Sequence, residues 1–192
     1  TGVQTCALPI YPLTDDEIKK MTSFMTGLRQ VGLSTLPFMK EKKDVRKAFE
    51  KSPKLTKAFE NLKGLLESDP KGKALIFSNF IDAGITPYQQ ALQRAGIPAA
   101  AFTGSLSDKE RKKLVDDYNT DKLRVALLGP AGTEGLSFKG TKLVQLLDPH
   151  WNTTRGKQSE GRALRFDSHE HLPPKDRKVL IERYIEIGRA HV

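Results

Sequence analysis

Two kinds of apolar spacing divide the chain near Lys71. Upstream, apolar residues recur at helical intervals. Thr14-Asp15-Asp16-Glu17 has the spacing of a capping box, and Ile18, Met21, Met25 and Leu28 follow on one helical stripe. A second helix is expected over Asp44 to Lys51. A third opens at Ser52-Pro53, with serine as cap and proline in the first turn, and carries Leu55, Ala58, Phe59, Leu62, Leu65 and Leu66. Both stripes are expected to pack as ordinary core. Ser68-Asp69-Pro70-Lys71-Gly72 ends the helical pattern.

Downstream, short apolar runs alternate with amphipathic stretches. Strands are expected at Ala74 to Phe77, Ala99 to Phe102, Leu123 to Leu128 and Val144 to Leu147. Helices are expected over Ala83 to Ala95, from the capping box Ser107-Asp108-Lys109-Glu110 to about Tyr118, and from Asn152 to about Leu164. Strands alternating with helices imply an α/β fold. Its parallel sheet has helices on both faces and is preceded by a helical segment. The organisation expected is a helical segment over 11–70 and one sheet domain over 71–186.

The two ends are read separately. Ile187 to Val192 back-translate to a string whose reverse complement, read one base in, encodes Thr5 to Pro9 and begins an isoleucine codon. That string resembles a common sequencing adapter, so residues 1–10 and 187–192 are expected to be adapter-derived and are excluded from fold reasoning.

Composition narrows the class. With 192 residues, net charge +9, 38% hydrophobic and 29% charged residues, the chain suits one globular domain with a helical attachment. No apolar run approaches the length of a membrane span, and no membrane partner is expected. The only cysteine is Cys6, in the adapter-like end, which removes disulfides and cysteine-based zinc sites from the rest. A reducing, cytoplasmic compartment is the bland expectation. The basic excess fits a polyanionic partner.

In open parallel sheets ligands bind beyond the carboxyl ends of the strands. After Leu128 comes Gly129-Pro130-Ala131-Gly132-Thr133-Glu134-Gly135-Leu136-Ser137, small residues that let backbone amides approach a phosphate or ribose. After Leu147 comes Asp148-Pro149-His150-Trp151-Asn152, then a helix bearing Gln158-Ser159-Glu160-Gly161-Arg162-Ala163-Leu164-Arg165. Gln158, Arg162 and Arg165 share one helical face. Two guanidinium forks there suit the spread charge of a transferring phosphoryl group. Spacing alone also allows a surface helix whose arginines pair with Glu160 or Asp167. His169-Glu170-His171 is read as a solvated loop, Trp151 as packing, and Lys40 to Lys43 as a solvated charge run.

Gln158 to Arg165 fits the Q-x-x-G-R-x-x-R pattern of motif VI in superfamily 2 helicases. Gly132 to Leu136 resembles their motif V, and Ala74 to Phe80 resembles motif IV on the first strand of the second lobe. Phe102-Thr103-Gly104 with Arg111 and Tyr118-Asn119 is similar to the Snf-type branch. So are Leu147 to Asn152, Leu28-Arg29-Gln30 and Ser52-Pro53-Lys54-Leu55. The tail Ser168-His169, Leu172-Pro173, Arg177 and Tyr184 resembles helicase-like ATPases of large DNA viruses and phages.

The resemblance implies the second RecA-like lobe of an ATP-driven translocase or helicase, with double-stranded DNA as partner. The N-terminal lobe of the same full-length chain would hold most of the ATP and magnesium. It implies Arg162 and Arg165 as arginine fingers. Gln158, Gly135 and Ser137 would lie beside the nucleotide, and Ser78, Thr103, Gly104 and Thr133 along the nucleic-acid backbone. Ser137 stands where DEAD-box proteins carry aspartate, so no strong ribose contact is assigned to it. The chain carries no G-x-x-x-x-G-K-[ST] phosphate loop and no acidic box after a strand, so it is expected to be inactive alone. The rival reading is a non-catalytic nucleic-acid-binding or regulatory module that kept the lobe.

Overall fold

The computed structural model describes residues 13–39, 44–130, 136–148, 169–170, 172–174 and 177–185. Five helices and five strands are present among them. The helices are α1 (Asp15–Leu33), α2 (Val45–Glu50), α3 (Pro53–Ser68), α4 (Thr86–Arg94) and α5 (Asp108–Asn119). The strands are β1 (Ala74–Phe77), β2 (Ala99–Phe102), β3 (Val125–Leu128), β4 (Leu143–Leu146) and β5 (Leu180–Arg183). The strands form one sheet in the order β2-β3-β1-β4-β5, and every pairing is parallel.

The period-2 alternation of each strand divides the core into two layers. Ala74 and Ile76 of β1, Val125 and Leu127 of β3, and Leu143 of β4 face α3 and α4, where Leu55, Leu62, Ile85, Tyr88 and Leu92 are buried. Leu75, Phe77, Ala126, Leu128, Val144 and Leu146 face the other way, onto Phe102, Phe138 and the α5 residue Tyr118. Both faces of the sheet are therefore covered, as the near-continuous apolar strands require. Each leucine taken fully out of water contributes about 1.5–3 kcal/mol.

Caps set the helix starts. Thr14 and Glu17 at α1, and Ser107 and Glu110 at α5, form reciprocal capping boxes. Asp44 caps α2, and Ser52 caps α3 with Pro53 at its first turn. The Arg124 guanidinium holds the other end of α3, donating to the carbonyls of Leu66 (3.2 Å), Asp69 (2.6 Å) and Gly72 (3.1 Å).

Several expectations change. The α1 stripe is not core: Ile18 is 45% exposed, Met21 53% and Leu28 50%, and Leu33 is the buried residue of the helix. Spacing can report an apolar face but not whether a second layer reaches it. The helix expected over Ala83 to Ala95 is two pieces, a π turn at Ile81–Ile85 followed by α4. Pro87 has no N–H to give the Ala83 carbonyl, and the Thr86 N–H reaches back to Ile81 instead. β3 begins at Val125 rather than Leu123, and β4 runs one residue earlier than its apolar run. A 3₁₀ turn at Leu36–Phe38 and the strand β5 were not expected. β5 is a half-exposed edge strand with too few apolar residues to signal itself.

Besides its ladder to β4 and the packing of Ile181, a polar cluster holds β5. The buried Gln145 of β4 donates to the Ala58 carbonyl (2.8 Å), Glu182 (2.9 Å) and the Tyr184 hydroxyl (3.1 Å), and accepts from the Tyr88 hydroxyl (2.9 Å). Asn61 of α3 donates to Glu182 and Tyr184, and Tyr184 donates to Glu182. Burial, then the neighbouring Tyr184 and Glu182, hold the Tyr88 phenol well above its ordinary range, so it remains a donor.

Candidate functional site at the carboxyl ends of the strands

All five strands point the same way, so the segments leaving β1, β2, β3 and β4 gather on one edge. Strand succession reverses between β1 and β4, since the chain leaves β1 toward β2 and β3 and returns on the far side as β4 and β5. Such a switch point is where open parallel sheets hold ligands.

At the β1 exit, Ser78 is 4% exposed. Its N–H donates to the Leu128 carbonyl (3.1 Å), and its hydroxyl accepts from the Phe80 N–H and donates to the Phe80 carbonyl (both 3.1 Å). The Ser78 hydroxyl therefore holds its own turn in this structure. Gly84 lies directly against it: a Cβ there would stand 2.1 Å from Ser78 Oγ. The next residue, Asn79, bridges to the β4 exit. Its N–H is 3.0 Å from both carboxylate oxygens of Asp148, and Nδ2 donates to Oδ2 (3.0 Å) and to the Asp148 carbonyl (3.1 Å).

Arg29 of α1 completes this junction. Its Nη2 lies 3.7 Å from Asp148 Oδ2, donates to the Asp148 carbonyl at 3.3 Å, and its guanidinium sits 5.2 Å from the Phe80 ring centre. Burial lifts the Asp148 carboxyl above its usual range. The Asn79 and Ser78 donors and the Arg29 charge pull the other way and offset only part of that.

At the β2 exit, Thr103 and Ser105 share a hydrogen bond between hydroxyls (2.8 Å), and Gly104 beside them is exposed. Arg111 donates to the Thr103 carbonyl at 3.4 Å, which ties this turn to α5. At the β3 exit, a Cβ on Gly129 would stand 2.8 Å from Cδ1 of Ile81, the end of a partly exposed side chain that would have to move. The chain returns at Leu136 and is clamped at once. Asn119 donates to the Ser137 carbonyl (3.1 Å) and accepts from the Lys139 N–H (2.8 Å). Phe138 is fully buried, edge-on to Phe102 (5.4 Å between ring centres) and Tyr118 (5.2 Å). Ser137 itself is half-buried at the mouth of the glycine-rich segment.

Ser78, Thr103 and Gly104 thus share the carboxyl edge of the sheet, whereas Ser137 is held against Asn119 at the C-terminal end of α5. Thr133, Gly135, Gln158, Arg162 and Arg165 lie outside the described residues, as do Trp151, His171 and Lys40 to Lys43. His169 is half-buried, with Nε2 2.7 Å from the Thr141 carbonyl, so it docks on the sheet rather than facing solvent. Among the described residues no three His, Cys, Asp or Glu side chains gather to hold a metal. No described helix is long and apolar enough to cross a membrane. Sequence reasoning gave no role to Asn79, Asp148, Arg29 or Asn119. For Asn79, Asp148 and Asn119 the available signal was a polar residue close to the end of an apolar strand or helix; Arg29, inside α1, had none.

A parallel sheet with helices on both faces and a polar carboxyl edge is shared by several doubly wound folds, and the fold match below identifies this one as RecA-like. The model of the helicase conserved C-terminal domain matches residues 57–167, more than half of the chain, and the chain belongs to that family. It is similar to L538 of Acanthamoeba polyphaga mimivirus, assigned as an ATP-dependent RNA helicase, with 33% identity over 88% of this chain and 34% of that protein. It is also similar to the termination factor NPH-I homolog of African swine fever virus (isolate Tick/South Africa/Pretoriuskop Pr4/1996), with 30% identity over 65% of this chain and 18% of that protein. In fold it matches the Sulfolobus solfataricus SWI2/SNF2 ATPase core in complex with dsDNA. The TM-score there is 0.67 at 18% identity, covering 92% of this chain and 35% of that one. The chain spans about a third or less of the length of these viral relatives.

Proposed function

We propose that this chain is the second motor lobe of an ATP-driven nucleic-acid translocase that acts on double-stranded DNA. The observation that carries the reading is the family match, laid over a sheet whose carboxyl edge collects the exits of β1 through β4. The names of the viral relatives, an RNA helicase and a termination factor, support nucleic-acid handling, and the DNA-bound SWI2/SNF2 core supports the duplex as the track.

In this reading an upstream lobe of the full-length protein carries the phosphate loop and most of the ATP and magnesium contacts. The second lobe offers Arg162 and Arg165 to the charge that develops on the transferring phosphoryl group, with Gln158 beside them. Gly135 and Ser137 border the nucleotide. Thr103, Gly104 and Thr133 follow the phosphate backbone, which positions DNA without reading sequence. Ser78 joins that track through its loop, because its hydroxyl is engaged internally.

The test is Arg165→Ala in the full-length protein. DNA affinity should stay near wild type while ATP turnover falls by about 10³–10⁵, the worth of an arginine finger. Unchanged turnover removes Arg165 from that role. A wild-type full-length protein that binds DNA without hydrolysing ATP makes the lobe a binding or regulatory module instead.

A further inference from the structure

The crevice between the β1 and β4 exits, where a parallel sheet ordinarily receives a ligand, is filled here by the chain's own carboxylate. The Asp148 side chain is 4% exposed and receives the Asn79 N–H and Nδ2 from the neighbouring strand exit. The third group at this carboxylate comes from far away in sequence. Arg29 precedes Asp148 by 119 residues and belongs to α1, a helix whose buried residue is Leu33. The guanidinium, 19% exposed, meets the carboxylate, the Asp148 carbonyl and the Phe80 ring together. A planar guanidinium presents several donors at fixed angles, so one side chain can meet the carboxylate, the carbonyl and the ring together.

We propose that Arg29 is a positioning residue. Through Asp148 it locks the exits of β1 and β4 in one register, and so fixes the direction in which the chain leaves β4 at Asp148. The proposal rests on the motor reading above. Its physical basis is that the Asp148 backbone is gripped as firmly as its side chain. Asn79 Nδ2 and Arg29 Nη2 both donate to the Asp148 carbonyl, so the direction in which the chain leaves β4 is fixed by three elements. A displacement of α1 along its axis must pull on that carbonyl. Arg29 is then the point at which the helical segment before the sheet acts on the strand ends.

The experiment is steady-state ATP turnover by the full-length protein carrying Arg29→Met or Arg29→Lys, with DNA affinity and thermal unfolding measured alongside. In Arg29→Met, kcat should fall by about 10–100-fold, the effect of misplacing reacting groups by about an ångström. KM for ATP and DNA affinity should stay within about twofold of wild type, because the groups that bind are untouched. Arg29→Lys should show the same split with a smaller loss. Wild-type kcat in a folded Arg29→Met protein overturns the proposal, and so does a loss in which kcat, KM and DNA affinity decline together with the folded fraction. If Arg29→Met does not fold, Arg29→Gln decides, and wild-type kcat there has the same force. Absence of turnover in the wild-type protein removes the motor reading, and this proposal with it. A neutral Arg29 beside an active wild type removes this proposal alone.

Discussion

Gly84→Ala probes the packing beneath the candidate site. The new methyl would stand 2.1 Å from Ser78 Oγ, 2.7 Å from Ser78 Cβ and 3.0 Å from Leu33 Cδ2. Rotating the serine relieves only the first contact. Ser78 cannot retreat freely either, because its N–H is bonded to Leu128 and its hydroxyl to Phe80. Overpacking of this kind costs about 1–3 kcal/mol, and the depth of the contact argues for the upper end. A displaced hydroxyl forfeits about 1 kcal/mol more. Alanine's better helix propensity returns about 1 kcal/mol. The net expectation is a loss of about 2–3 kcal/mol, a fall in Tm of about 4–12 °C for a domain of this size. Urea and thermal unfolding measure it directly. Ser78→Ala in the same chain should restore part of the loss, since Cβ remains in the way, and Ser78→Gly should restore more. A Gly84→Ala protein as stable as wild type, or one that Ser78→Gly fails to improve, would refute the reasoning.

Gln145→Leu should destabilise the lobe by about 1–3 kcal/mol, chiefly because the buried Tyr88 hydroxyl is left without its acceptor. Hydrogen exchange should show β5 loosening first, and an unchanged denaturation midpoint would contradict it. Asp148→Asn tests the raised carboxyl. A folded-state pKa above the unfolded one binds a proton more readily in the folded state, so this group's stabilisation is full below the unfolded value near 3.8 and is lost as pH rises through the folded one. The stability gap between wild type and Asp148→Asn should therefore shrink from pH 3 to pH 7, and a gap that widens would reverse the assignment. Binding of the full-length protein to duplex DNA should weaken linearly on a log–log plot against salt, with a slope of about −0.9 for each phosphate neutralised. A flat response would argue against backbone tracking.

The sequence by itself determined the layers. The four apolar runs at 74–77, 99–102, 123–128 and 144–147 read as strands of one sheet, with two of the observed strands starting one or two residues away, and the capping boxes at Thr14 and Ser107 opened helices. These features are local: period, capping chemistry and the hydrophobic effect act over a few residues. The motif resemblance carried the family for a related reason, since each motif is a short string with fixed internal spacing.

Tertiary structure decided what depends on neighbours distant in the chain. It left the α1 stripe exposed, although its period matches that of the buried α3 stripe. It added β5, held by its ladder to β4, by Ile181 on the core and by a polar cluster of Gln145, Asn61 and Tyr184, a combination too short in apolar residues to show in spacing. It turned Ser78 inward and placed Arg29, Asn79 and Asp148 around a single buried carboxylate. Such meetings are set by strand order and by the direction in which each exit turns, and neither quantity has a signature in one-dimensional spacing.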